Sequence, residues 1–145
     1  MKMTFIPFES VGIFNFGDEI EKYSDVLSRY CYTPPNEDGD EYYHIAEPYT
    51  DDDEHFIRVY DGKIRAIFCY KELIFNNTNL IGLTIEELKK ATNADYVGDI
   101  EEVDIFDDEP PKYIYYFDDI GAQVWTHYGY VTDIIVAGYW SYSDD

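Results

Sequence analysis

The 145 residues point to one α+β domain, predominantly antiparallel β with two helices, built as a pseudo-repeat of two strand-helix-strand-strand-strand units. Three observations carry this expectation. Phe56-Ile57-Arg58-Val59-Tyr60 and Lys63-Ile64-Arg65-Ala66-Ile67-Phe68 alternate on either side of Asp61-Gly62, a pair suited to the left-handed backbone of a two-residue hairpin turn. Ala122-Gln123-Val124-Trp125-Thr126-His127 and Tyr130-Val131-Thr132-Asp133-Ile134-Ile135 do the same around Tyr128-Gly129. Gly62 and Gly129 are 67 residues apart, as are Ile67 and Ile134, while Gly17 and Gly82 are 65 apart. Helix starts and hairpins thus recur in one order, placing the repeat over residues 11–70 and 79–137 of a single domain spanning 1–145.

A leading strand is expected near Phe5, and Phe14-Asn15-Phe16 forms the next before Gly17. Asp18 stands three residues before Glu21, the spacing of a capping box, and Ile20, Tyr23, Leu27 and Tyr30 share one helical face, which predicts a helix from Asp18 to about Arg29. Pro34-Pro35 interrupts regular structure before the strand Tyr42-Tyr43-His44-Ile45. After the first hairpin, Leu73-Ile74-Phe75 bridges to Leu80-Ile81-Gly82-Leu83. Thr84 and Glu87 then repeat the capping spacing, opening a shorter helix with Ile85, Leu88 and Ala91 that frays by Asn93. Pro110-Pro111 precedes Tyr113-Ile114-Tyr115-Tyr116-Phe117, and the second hairpin closes the unit.

With 31 acids against 10 Lys and Arg, the net charge of −21 opposes direct binding to nucleic acid or to an anionic membrane and favours a basic partner. The charge does not signal disorder, because 46% of the residues are hydrophobic and 19% aromatic. Thr33 to His55 holds nine acids and no Lys or Arg; Asp95 to Asp119 holds ten against Lys112 alone. Both segments read as loop-borne. Acidic runs are either solvated faces or a binding surface, and the mutual repulsion of so many carboxylates favours the second. The candidate contact residues are Asp51, Asp52, Asp53 and Glu54 from the first segment and Asp104, Asp107, Asp108 and Glu109 from the second.

No catalytic constellation is legible. Asn36-x-Asp38-x-Asp40 places its glycine at the wrong position for a calcium loop, and His44, His55 and His127 have no metal-ligand spacing. There is no GxSxG elbow, P-loop or GxGxxG, and Cys31 and Cys69 form no CxxC pair. Carboxylate pairs are expected by chance among 31 acids. The expectation is a protein without enzymatic activity, metal or cofactor. Lacking a signal peptide or an 18-residue apolar run, it reads as cytoplasmic. Sixteen tyrosines exceed what one small core holds, so some belong to a contact surface; Trp125, Tyr128, Tyr130, Trp140 and Tyr142 are the choices, with Trp125 equally suited to the core.

Asn79-Leu80-Ile81-Gly82-Leu83-Thr84, Asp104-Ile105-Phe106-Asp107-Asp108-Glu109-Pro110 with Tyr113-Ile114-Tyr115-Tyr116-Phe117, and Gly121-Ala122-Gln123-Val124-Trp125 resemble the cytoplasmic immunity proteins of bacterial contact-dependent growth inhibition systems. The likeness runs from Val11 to Val136 and rests on the order of short segments. It implies a stoichiometric binder of a cognate toxin domain, a basic nuclease at the C-terminal end of a large secreted protein, without implying particular contact residues. An acidic ligand-binding or regulatory module is the alternative, and a small-molecule enzyme the third.

Overall fold

Short antiparallel pairings open the fold. In the computed structural model, which describes residues 2–45, 54–105 and 108–138, β1 (Phe5–Ile6), β2 (Ser10–Val11) and β3 (Phe14–Asn15) form a small three-stranded sheet. A 3-10 turn over Ile20–Tyr23 then runs directly into α1 (Ser24–Leu27). The helix expected over Asp18–Arg29 is therefore shorter, and its capping box does not form: Glu19 takes the N-cap position and caps with no side-chain bond. Asp18 is engaged elsewhere, accepting from Tyr23 Oη at 2.7 Å and Lys22 Nζ at 3.0 Å. The apolar stripe survives the change, with Ile20, Tyr23 and Leu27 all buried.

The second helix follows its sequence signals closely. It comes after the β8 (Ile74–Phe75) and β9 (Thr78–Asn79) hairpin and spans Ile85–Thr92 as α2. Thr84 Oγ1 accepts from the Glu87 amide while Glu87 Oε1 accepts from the Thr84 amide, satisfying two donors that the first turn leaves unpaired. Asn93 ends it in the left-handed conformation.

The main sheet joins two four-stranded meanders. One comprises β4 (Cys31–Thr33), β5 (Asp40–His44), β6 (His55–Tyr60) and β7 (Lys63–Cys69); the other comprises β10 (Val97–Val103), β11 (Lys112–Phe117), β12 (Ala122–His127) and β13 (Tyr130–Ala137). The strand order is β10-β11-β12-β13-β7-β6-β5-β4, so the last strand of each meander meets the other at the centre, with Ile67 opposite Val136 and Cys69 opposite Ile134. Each helical segment is followed by four strands where the sequence suggested three. The two extra strands, β4 and β10, are the sheet edges. Asp99, Glu101 and Glu102 lie within β10, and Asp40 and Glu41 within β5, so the acidic segments are only partly loop.

Both central hairpins turn through two left-handed residues, Asp61 and Gly62 in one and Tyr128 and Gly129 in the other, matching the twist of their strands. Each also carries one extra residue near its turn: Arg65 falls between the pairs Val59–Ile64 and Arg58–Ala66, and Thr132 between Thr126–Val131 and Trp125–Asp133.

The inner face supplies Ile57, Val59, Ile64, Ile67, Phe117, Val124, Ile134 and Val136 to a core completed by Phe14, Leu27, Leu73, Leu80 and Leu88. Full burial of each large apolar side chain contributes about 1.5–3 kcal/mol before the entropy of ordering is counted. On the outer face, His44, Phe56, Phe68, Ile135, Gln123 and Tyr116 form one row across six strands, and none belongs to that core. Phe56 stacks on Phe68 with centroids 4.1 Å apart. Among the described residues, no helix is long and apolar enough to cross a membrane.

Candidate functional site

Antiparallel register decides which loops share an end of the sheet. Cys69 stands opposite both His55 and Ile134, so β6 starts, β7 finishes and β13 starts at one end. The Tyr128-Gly129 turn lies there. Tyr113 opposite Thr126 brings the start of β11 alongside, and His127 Nε2 is 3.1 Å from the carbonyl oxygen of Pro110, tying the β10–β11 connection to the second hairpin. Glu54, Asp104, Asp108, Glu109, Tyr128 and Tyr130 consequently share this end, drawn from three separate connections. All six are exposed, Tyr128 at 63% and Tyr130 at 56%. Five inter-strand spacings separate β6 from β10, so the residues form a strip about 24 Å long. Asp51, Asp52, Asp53 and Asp107, like Trp140 and Tyr142, lie outside the described residues.

Trp125 is not part of that strip. It lies on the outer face, half-buried and apart from the main core, in a row that reads Glu101, Ile114, Trp125, Asp133 across β10 to β13. Hydrogen bonds to the neighbouring row hold it in place: Trp125 Nε1 donates to Gln123 Oε1 at 2.8 Å, and Tyr116 Oη donates to Glu101 Oε1 at 2.8 Å. Thr132 Oγ1 donates to Asp133 Oδ1 at 2.7 Å. Burial pushes the Asp133 carboxyl above its ordinary value, against the opposing effects of the Thr132 bond and the charge of Lys112. Asp133 escaped the sequence reading because counting back from the turn puts Thr132 opposite Trp125. The extra residue at Thr132 shifts the register and brings the carboxylate there instead.

Several other ionisable groups are paired or buried within the fold. Arg58 Nε pairs with Asp40 Oδ1 at 3.0 Å, and Tyr32 donates to Glu41, a bond that pushes the Tyr32 phenol up to about 12. Cys69 is fully buried, and desolvation, with a smaller contribution from the charge of Glu72, pushes its thiol up to about 12, which leaves it protonated and a poor nucleophile. Tyr30 Oη and His55 Nε2 are hydrogen-bonded at 2.7 Å, with His55 buried. Among the described residues, no group of three or more His, Cys, Asp and Glu side chains is placed to hold a metal ion. What the arrangement offers is a contact surface: an acidic, tyrosine-bearing end beside an aromatic outer face. No protein-family model, curated protein or solved structure matches the chain.

Proposed function

We propose that the protein is a cytoplasmic immunity protein that binds a cognate toxin domain and neutralises it by stoichiometric occlusion, without catalysis. The observation that carries this reading is the convergence of Glu54, Asp104, Asp108 and Glu109 with Tyr128 and Tyr130 at one end of the sheet, although more than 70 residues separate the first from the last. Such an end complements a cationic protein surface, as a nuclease presents to phosphates, and exposed tyrosines add contact area with a polar tip. The resemblance to immunity proteins of contact-dependent growth inhibition systems supports the same partner.

We further read the fold as a pseudo-repeat. In its support, Phe68 faces Ile135, its counterpart 67 residues on, and the extra strand residues Arg65 and Thr132 are also 67 apart. The Gly17 amide donates to the Ile64 carbonyl and the Ile64 amide to that of Asp18; Gly82 and Val131, and then Val131 and Leu83, repeat the exchange, all at 2.8–3.0 Å. On such a frame the two hairpin tips are counterparts, yet Asp61 and Lys63 occupy the places of Tyr128 and Tyr130. The difference supports taking the tyrosine-bearing end as the contact end.

The test is a titration of the purified protein against a candidate toxin domain taken from the reading frame neighbouring its gene, following complex formation and nuclease activity together. Inhibition saturating near one equivalent is expected. Protection at sub-stoichiometric amounts with the toxin chemically altered would indicate an enzyme, and absence of binding would overturn the immunity reading.

A further inference from the structure

We propose that Trp125 and Asp133 on the outer face form a socket for one arginine side chain of a basic protein partner, a contact separate from the acidic end. The inference rests on the proposed function for the identity of that partner, though not for the chemistry of the socket.

The two residues are cross-strand neighbours on the same face, so a guanidinium lying on the indole would have the carboxylate beside it. The socket is already held in shape. The indole N–H is bound by Gln123, which orients the ring and uses its one donor, and the residue is only half-buried. Thr132 holds Oδ1 of Asp133, and no other donor among the described residues reaches that carboxylate. Nor does any described Lys or Arg come within 4 Å of it. A half-buried carboxylate supported by one neutral hydroxyl and the more distant charge of Lys112 is costly to keep charged, and a partner cation in contact with it offsets that cost on binding.

The other outer-face aspartate shows the alternative. Asp40 has its guanidinium supplied within the chain by Arg58 at 3.0 Å, and Arg58 occupies the position 67 residues before Trp125. Where the first half carries an arginine, the second carries an aromatic ring, and Lys112, whose charge reaches Asp133, makes no ion pair with it within 4 Å. Arginine suits this place better than lysine, because its flat group stacks on an indole while donating sideways to a carboxylate. Glu101, three strands away in the same row, adds negative potential without entering the socket.

The probe is an octa-arginine amide peptide at 150 mM salt, with octa-citrulline as the neutral control of the same shape. Binding is followed by the indole N–H resonance of Trp125, assigned with Trp125→Phe, and by the thermal midpoint of each variant. The expected result is a saturable shift of that resonance with arginine and none with citrulline. Asp133→Asn weakens the apparent affinity at least fivefold, and Glu21→Gln, an exposed acid away from both contacts, leaves it within twofold. Asp133→Asn also melts no lower than the parent, so misfolding does not account for the loss. Shifts confined to Asp104, Asp108 and Glu109, or unchanged affinity in Asp133→Asn, would overturn the socket. A parallel titration with the same candidate toxin domain separates the two readings. Binding there that is indifferent to Asp133→Asn sinks the socket and spares the immunity role; a positive peptide result without toxin binding does the reverse.

Discussion

Tyr23 Oη donates to Asp18 Oδ2 at 2.7 Å while accepting the Asn15 amide at 3.0 Å, so a single phenol fastens the end of β3 to the first helical turn. Replacing Tyr23 with Phe removes both bonds from a buried position and is expected to cost about 1–3 kcal/mol of stability. The Tyr23 hydroxyl, and after it Lys22, holds the Asp18 carboxyl below its ordinary value. A carboxylate depressed in the folded state stabilises above its unfolded pKa, near 4, and that contribution fades as pH falls through the folded value. Urea unfolding at pH 6 and pH 3 should show a smaller pH effect in Tyr23→Phe than in the parent, and parallel pH profiles would refute the assignment.

Gly121 ends a 3-10 turn over Asp118–Ile120 with φ +65°, and a Cβ there would meet Phe8 Cε1 at 2.8 Å and the Ala137 carbonyl oxygen at 2.9 Å. Gly121→Ala therefore combines left-handed strain with overpacking, for about 2–4 kcal/mol. Gly82, at φ +94° with no atom within 4 Å of its would-be Cβ, carries the strain alone, about 1–2 kcal/mol for Gly82→Ala. Denaturant midpoints of the two variants should rank in that order.

Thr84→Ala removes the side-chain half of the α2 capping box and is expected to cost about 1 kcal/mol. Thr84→Ser keeps the acceptor and should restore most of the loss. Equal midpoints for the Ala and Ser variants would show that the cap does not support the fold.

The acidic contact candidates and the exposed tyrosines should separate kinetically. On the proposed function, changing Asp104, Asp107, Asp108 and Glu109 together to Ser, or Asp51, Asp52, Asp53 and Glu54 together, is expected to slow association with the toxin domain by about tenfold at low salt and little at high salt, because exposed charges steer and are screened. Tyr128→Ala and Tyr130→Ala are instead expected to raise the dissociation rate, by about thirtyfold (about 2 kcal/mol) where the ring is an anchor. Stopped-flow association at two ionic strengths resolves the cases, and on-rates indifferent to salt and to both acidic sets would assign the carboxylates to solubility alone.

Hairpins and the second helix were legible because their signals are local. Asp61-Gly62 and Tyr128-Gly129 set their own turns, and Thr84 with Glu87 sets its own cap. The first helix was overread since Tyr23, five residues away, competes for the Asp18 carboxylate that the motif assigned to capping. β10 was missed because Gly98, Asp99, Glu101 and Glu102 are poor strand formers, and pairing with β11 overrides that preference. The shared end of Glu54 and Glu109 depends on strand order, which no window of sequence encodes. Likewise, the Trp125–Asp133 pair depends on one extra residue that alternation does not reveal.

The meeting of β7 with β13 at the centre of the sheet sets an order of events for folding. Every other pairing in the sheet joins strands consecutive along the chain, whereas this one must bring Ala66–Cys69 to Ile134–Ala137 across an intervening meander. Contacts of such sequence separation form slowly, because a long loop must close before they contribute. During synthesis the first meander is complete once Cys69 has emerged, and β7 then stands as an open edge until β13 arrives. The central seam of the finished sheet is thus an open edge in the growing chain, and an unpaired edge is where a nascent protein can pair with the wrong strand.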